Sequence, residues 1–259
     1  MNPQIAKRVQ QITLYLVLIA IWEILVSYLK FGNRLLPSPS AIAFELADNF
    51  FSKYNIANST IVTLQEVAYG FAAALIFGIA IAIALASSNT IRNLLGPLIN
   101  AIQAVPKSAL APLLVLWFGF GLLSKVVLTF LLAFFPIIVN GLLGLTSVEP
   151  ELLDLLRVMQ TPKLKEFTKV RLPNSLPYFI AGIRIAIPLS VIGAVVGEFI
   201  SAEVGLGWII LNATYTLNVN LLFAALAFLV FIAMLLNQFV GWAEPRLIPW
   251  HISERDRRR

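Results

Sequence analysis

Residues 122–173 read LLSKVVLTFLLAFFPIIVNGLLGLTSVEPELLDLLRVMQTPKLKEFTKVRLP, and the fold is decided by the change of character halfway along that stretch. Leu122–Leu145 carries a single charge, Lys125, and is otherwise apolar over a length that spans a bilayer as a helix. Residues 146–172 are polar and charged. That segment is much longer than the few residues needed to join antiparallel helices. At Pro173 an apolar run resumes. A membrane helix, a polar elbow and a second membrane helix therefore follow one another.

The rest of the chain repeats the apolar half of this pattern. Of 259 residues, 59% are hydrophobic and 12% charged, with a mean hydropathy of +0.87. A soluble domain carries about 25% charge, and a disordered chain is poor in apolar residues, so both are excluded. Apolar runs at 12–29, 59–86, 93–119, 122–145, 173–201 and 219–240 predict an all-α polytopic membrane protein with about six transmembrane helices. The first run is longer than a signal-peptide core and lacks a small-residue cleavage site, so it reads as a retained helix. In the second, Gly70, Ala74 and Gly78 lie four apart, the spacing that lets helices approach closely in lipid. The third is interrupted by Pro97, Pro106 and Pro112 and reads as a broken span. Ala41–Phe51 is amphipathic and suits a membrane surface. Without Gly/Ser-rich linkers, residues 1–259 read as a single domain with a basic tail at 241–259.

Basic residues set the orientation. Thirteen of the 19 Lys and Arg fall on the side that holds both termini and the 146–172 elbow, and only Lys30, Arg34, Lys53 and Lys125 fall on the other. The positive-inside rule then places the N and C termini and the elbow in the cytoplasm. Both termini on one side require an even number of spans, as six provides. The same end-of-span distribution makes nucleic acid an unsuitable partner for the net charge of +6.

Chemistry is limited by what is missing. There is no cysteine, and the one histidine, His251, lies in the tail. Thiolate metal sites, iron–sulfur clusters and an intramembrane serine–histidine dyad are excluded. Asp48, Asp154 and Asp256 all lie outside spans, which removes an aspartyl pair, and no H-E-x-x-H occurs. No G-x-x-x-x-G-K-[ST] is present to cradle ATP phosphates. No catalytic or metal-binding residue is expected.

Charges inside spans are costly and mark either pairing or a path. Glu23 and Arg184 read as interfacial positions or structural pairs, and Glu66 as either pairing or pathway. Lys107, beside Pro106 in the broken span, and Glu198, shortly before Gly205, are candidates for a translocation path or gate. Gln103, Ser108 and Asn140 add uncharged hydrogen-bonding groups, to a path or between helices.

Within the elbow, Leu152, Leu155, Leu156 and Met159 recur at helical spacing, with Glu149, Glu151 and Asp154 near the favourable N-terminal end. Thr161 is placed to cap a second helix, Pro162–Val170, which should end by Pro173. The expectation is two short helices outside the membrane, with an apolar stripe and a charged rim; on pattern alone they serve equally as a docking element or as an interfacial elbow lying on the lipid.

Asp154–Pro173 resembles the EAA loop of binding-protein-dependent ABC importer permeases, E-A-A-x-x-x-G followed nine residues on by I-x-L-P. Asp154 stands for the acid, Leu155 and Leu156 for the alanines, Gln160 for the glycine, and Val170-Arg171-Leu172-Pro173 for the end. Leu36-Pro37-Ser38-Pro39, Val105–Pro112, Leu116-Trp117-Phe118-Gly119, Phe134-Phe135-Pro136-Ile137 and Gly205-Leu206-Gly207 extend the likeness along the chain. It points to the branch handling nitrate, sulfonates, taurine, bicarbonate and thiamine pyrimidine precursors. Thr63-Leu64, Glu66 and Gly70-Phe71, with Phe223-Ala224-Ala225-Leu226, are more similar to the pyrimidine-precursor members.

The resemblance implies a type I ABC importer transmembrane fold in a bacterial-type inner membrane. It further implies that Asp154, Leu155, Leu156, Arg157, Met159, Gln160, Thr161, Pro162 and Lys163 couple to an ATPase. The implied partners are two ATPase subunits, a second permease copy and an extracytoplasmic binding protein. ATP and Mg would sit on the ATPase, with no cofactor in this chain. A passive channel or a bare scaffold is the alternative, and neither needs a long coupling loop.

Overall fold

Val105 and Pro106 separate two halves of the third apolar run: helix α4 (Asn89–Ala104) ends before them, and a 3-10 turn (Lys107–Leu110) leads into α5 (Ala111–Phe118) after them. The two halves are bent by 80°. Only Pro106 marks this break. Pro97 lies inside α4, and Pro112 falls in the first turn of α5, where its missing N–H has no partner to lose.

The structure, a computed structural model, describes residues 3–29, 35–52 and 54–249. Lys30, Arg34, Lys53 and the arginines from Arg255 onward, which enter the charge asymmetry, lie outside the described residues, as do His251 and Asp256. Among the described residues every regular element is helical. Among the described residues five helices are long and apolar enough to cross a membrane, or six if the bent pair is one span. They are α1 (Pro3–Leu29), α3 (Ile56–Ser87), α6 (Leu122–Thr146), α9 (Leu172–Ser201) and α11 (Val219–Leu247). Shorter helices are α2 (Pro39–Asn49), α7 (Pro150–Val158), α8 (Lys163–Glu166) and α10 (Leu206–Tyr215).

The chain divides into two compact units, Met1–Val62 with Val204–Val230, and Thr63–Glu203 with Phe231–Arg259. In the first, the α2 terminus is capped twice. Ser38 Oγ accepts from the Ala41 N–H, and the Glu23 carboxylate on α1 accepts from the Ser40 N–H at 3.0 Å and its hydroxyl at 2.7 Å. A carboxylate at a helix N-terminus is favoured by the dipole as well as by the hydrogen bonds. Glu23 is therefore a structural group. Helix α10 lies between the fifth and sixth apolar runs, where the hydropathy pattern predicts only a connection. It ends on Leu217 in the left-handed region (φ 56), with no glycine to announce the stop.

In the second unit, α6 and α9 pack extensively against each other. Helix α3 packs on α6 through the small-residue stripe: a Cβ on Gly70 would lie 2.5 Å from Thr129, and one on Gly78 would lie 3.0 Å from Ile137. Ala74 between them is fully buried. Arg184 on α9 is paired with Glu244 on α11, which resolves Arg184 as a structural partner.

The elbow departs from expectation at its second helix. Pro162 takes the N-cap position with no side-chain cap, so Thr161 does not cap, and α8 begins at Lys163. The helix does not stop at Pro173 either; it continues through a π turn (Phe167–Arg171) into α9. The Leu172 N–H donates to the Phe167 carbonyl, five residues back. That shift accommodates Pro173, which has no N–H to continue the four-residue pattern.

Candidate functional site

The α7–α8 elbow is anchored at its base and bare at its tip. Asn174 Nδ2 donates to the Gly144 carbonyl and to Ser147 Oγ, each at 3.1 Å, which joins the start of α9 to the end of α6. Arg171 Nε donates to Glu166 at 2.7 Å while its NH1 reaches the Leu145 carbonyl at 3.4 Å. Between these anchors, Leu153 and Leu156 turn inward and are half-buried. Leu152, Leu155, Val158 and Met159 turn outward, with Leu155 54% and Met159 67% exposed. The expected stripe is thus split: Leu156 supports the helix from within, and Val158 joins the outward face. Asp154 and Arg157 pair with each other across one turn at 2.8 Å on the solvent side.

Gln160 sits at φ 51, the left-handed conformation. The Gln160 N–H donates to the Arg157 carbonyl and the Thr161 N–H to the Leu156 carbonyl, both at 2.9 Å. This is the paired bond pattern that a glycine ordinarily completes at a helix end. Gln160 keeps the turn at some backbone cost. Pro162 and Lys163 are exposed beside it.

The candidate path residues divide into two groups. Gln103 and Ser108 are exposed on either side of the α4 break. Lys107 Nζ donates to the Gln103 carbonyl at 2.8 Å and lies 4.6 Å from the Phe135 ring centroid, so it satisfies the open carbonyls of the interrupted helix. Asn140 donates to the Pro136 carbonyl at 2.9 Å, within its own helix. Glu198 is 1% exposed and accepts from Thr63 Oγ1 at 2.6 Å. It also lies against Glu66, which is 0% exposed and ion-paired with Lys125. Lys125 belongs to this buried cluster, though by sequence it reads only as a loop-side charge. Its partner lies 59 positions away on another helix, and no local spacing could reveal the pairing.

Residues 74–249 match the family described as the binding-protein-dependent transport system inner membrane component. The chain belongs to that family. It is 37% identical to a probable ABC transporter permease protein of Haemophilus influenzae, over 91% of this chain and 95% of that one. It is 35% identical to the formylaminopyrimidine transport permease protein of Halalkalibacterium halodurans, over 91% and 93% respectively. In fold it is similar to the inward-facing MetNI methionine ABC transporter, with a TM-score of 0.65 at 20% identity, covering 74% of this chain and 95% of that one. The permease is a multi-pass inner-membrane subunit of an ABC importer, and the family works with a binding protein and an ATPase.

Proposed function

We propose that the outward face of α7, Leu152, Leu155, Val158 and Met159, docks in a groove of a separate ATPase, with Asp154, Arg157, Gln160, Thr161, Pro162 and Lys163 framing the contact. Leu156 holds the helix in place from behind. The carrying observation is an exposed apolar helix face on an elbow tied down at both ends. An amphipathic helix in a groove makes a stiff lever. ATP and Mg belong to the partner, because this chain has no phosphate-binding loop. In this reading two ATPases act on two copies of the permease, with both termini and the elbow in the cytoplasm.

The path runs past the break in the third span. Gln103, Lys107 and Ser108 face it, while Asn140 and Glu198 support it from within the bundle. Outside the membrane a binding protein delivers the solute. The formylaminopyrimidine relative supports a small polar heterocycle as the cargo class. Proteoliposomes holding the permease, its ATPase and its binding protein test this with labelled formylaminopyrimidine. Uptake that requires ATP and stops with vanadate is expected. Equal entry without ATP would make the chain a passive channel.

A further inference from the structure

Three helices of the second unit meet at a buried charge cluster far from the elbow. Lys125 stands in the first turn of α6, and the elbow follows the last turn of that helix at Thr146. At 1.5 Å per residue the two points are about 30 Å apart along the helix. Lys125 is 6% exposed and paired with Glu66 of α3, while Glu198 of α9 lies against Glu66 and accepts from Thr63.

Packing at the same level leaves no slack. A Cβ on Gly197 of α9 would meet Lys125 Cγ at 3.0 Å, and one on Gly193 would meet Thr129 Cα at 2.7 Å. Gly70 of α3 closes on Thr129 from the other side. Separating these helix ends would strand a charge in a medium of low dielectric, which is strongly unfavourable once its partner has gone. Near the opposite end, the same α6 and α9 carry the elbow.

We propose that Glu66, Lys125 and Glu198 form a fulcrum that pins the far ends of α6 and α9 to α3 at Glu66, so that displacement of α7 tilts these segments as one body instead of splaying them. The proposal rests on the reading that a motor docks on α7. It gives a task to Lys125 and Glu66, which the path reading leaves unused.

The chain has no cysteine, so spin labels can be placed without background. Leu123→Cys and Ile200→Cys put labels on exposed sites at the far ends of α6 and α9. Labelled permease is diluted into an excess of unlabelled permease so that a complex carries one labelled copy, and the separation is measured by electron–electron resonance in the complex with the ATPase, without nucleotide and with ATP and vanadate. The fulcrum predicts one narrow distribution, shifting by less than about 2 Å between states. With Lys125→Met added, the distribution broadens or shifts by more than that between states, and Glu66→Lys with Lys125→Glu narrows it again.

A larger shift in the unaltered background, or a Lys125→Met distribution as narrow as the parent, overturns the proposal. Should Lys125→Met not insert, Thr63→Val is used in its place; broadening supports the fulcrum and no change overturns it. A permease that retains no ATPase contradicts the docking reading separately, before any distance is measured.

Discussion

The Thr161 N–H donates to the Leu156 carbonyl at 2.9 Å, and this bond closes the elbow's turn around a left-handed Gln160. A side chain in that conformation costs about 1 kcal/mol or more relative to glycine. Gln160→Gly should therefore raise the stability of the purified permease by about 1 kcal/mol while leaving the fold unchanged. Gln160→Val, β-branched at a positive φ, should lower it. Thermal unfolding of the three proteins in the same detergent checks both signs.

The two glycines Gly70 and Gly96 should respond in opposite ways to the same substitution. A Cβ at Gly70 falls 2.5 Å from Thr129, whereas one at Gly96 in α4 meets nothing within 4 Å. Gly70→Ala should destabilise by about 1–3 kcal/mol through overpacking. Gly96→Ala should be neutral or stabilising by up to about 1 kcal/mol, from helix propensity alone. Thermal melts of the two variants against the parent decide it.

Much of this architecture was legible in the chain because hydropathy and proline placement act locally. The bilayer length of the apolar runs marked the spans, Pro106 marked the break, and the spacing of Gly70, Ala74 and Gly78 marked the face that α3 gives to α6. What was not legible depended on distant partners or on missing signals. Helix α10 ends on Leu217 without a glycine, and Pro173 suggests a stop that the π turn removes. Lys125 looked like a boundary charge until α3 and α9 brought carboxylates to it. In the elbow, helical spacing revealed an apolar stripe, but only packing against the bundle separates inward Leu156 from outward Val158.

Lys107 links the α4 break to the rest of its unit through the Gln103 carbonyl and the Phe135 ring. Lys107→Met loses a charge-assisted bond, for an expected cost of about 1.5–3 kcal/mol. Lys107→Arg should recover part of that stability. If the residue also faces the path, uptake by Lys107→Arg will stay below the parent even where its melting temperature is restored. Parallel melts and transport assays separate the two roles.

Removing one member of the Arg184–Glu244 pair should cost more than removing both. Glu244 is the more buried partner. Arg184→Met leaves its carboxylate facing low dielectric, with an expected loss of about 1–3 kcal/mol. The double variant Arg184→Met with Glu244→Met should be closer to the parent than Arg184→Met alone. A double-mutant cycle by thermal unfolding gives the coupling directly.

The central claim is that the outward face of α7 holds a motor, and ATPase retention by a tagged permease measures it. Leu155→Asp with Met159→Asp places two charges on that face without touching a span. The account predicts normal membrane insertion and at least about thirtyfold less ATPase retained, since losing an interface anchor costs 2 kcal/mol or more. A doubly substituted permease that inserts normally and still carries its full complement of ATPase would contradict it.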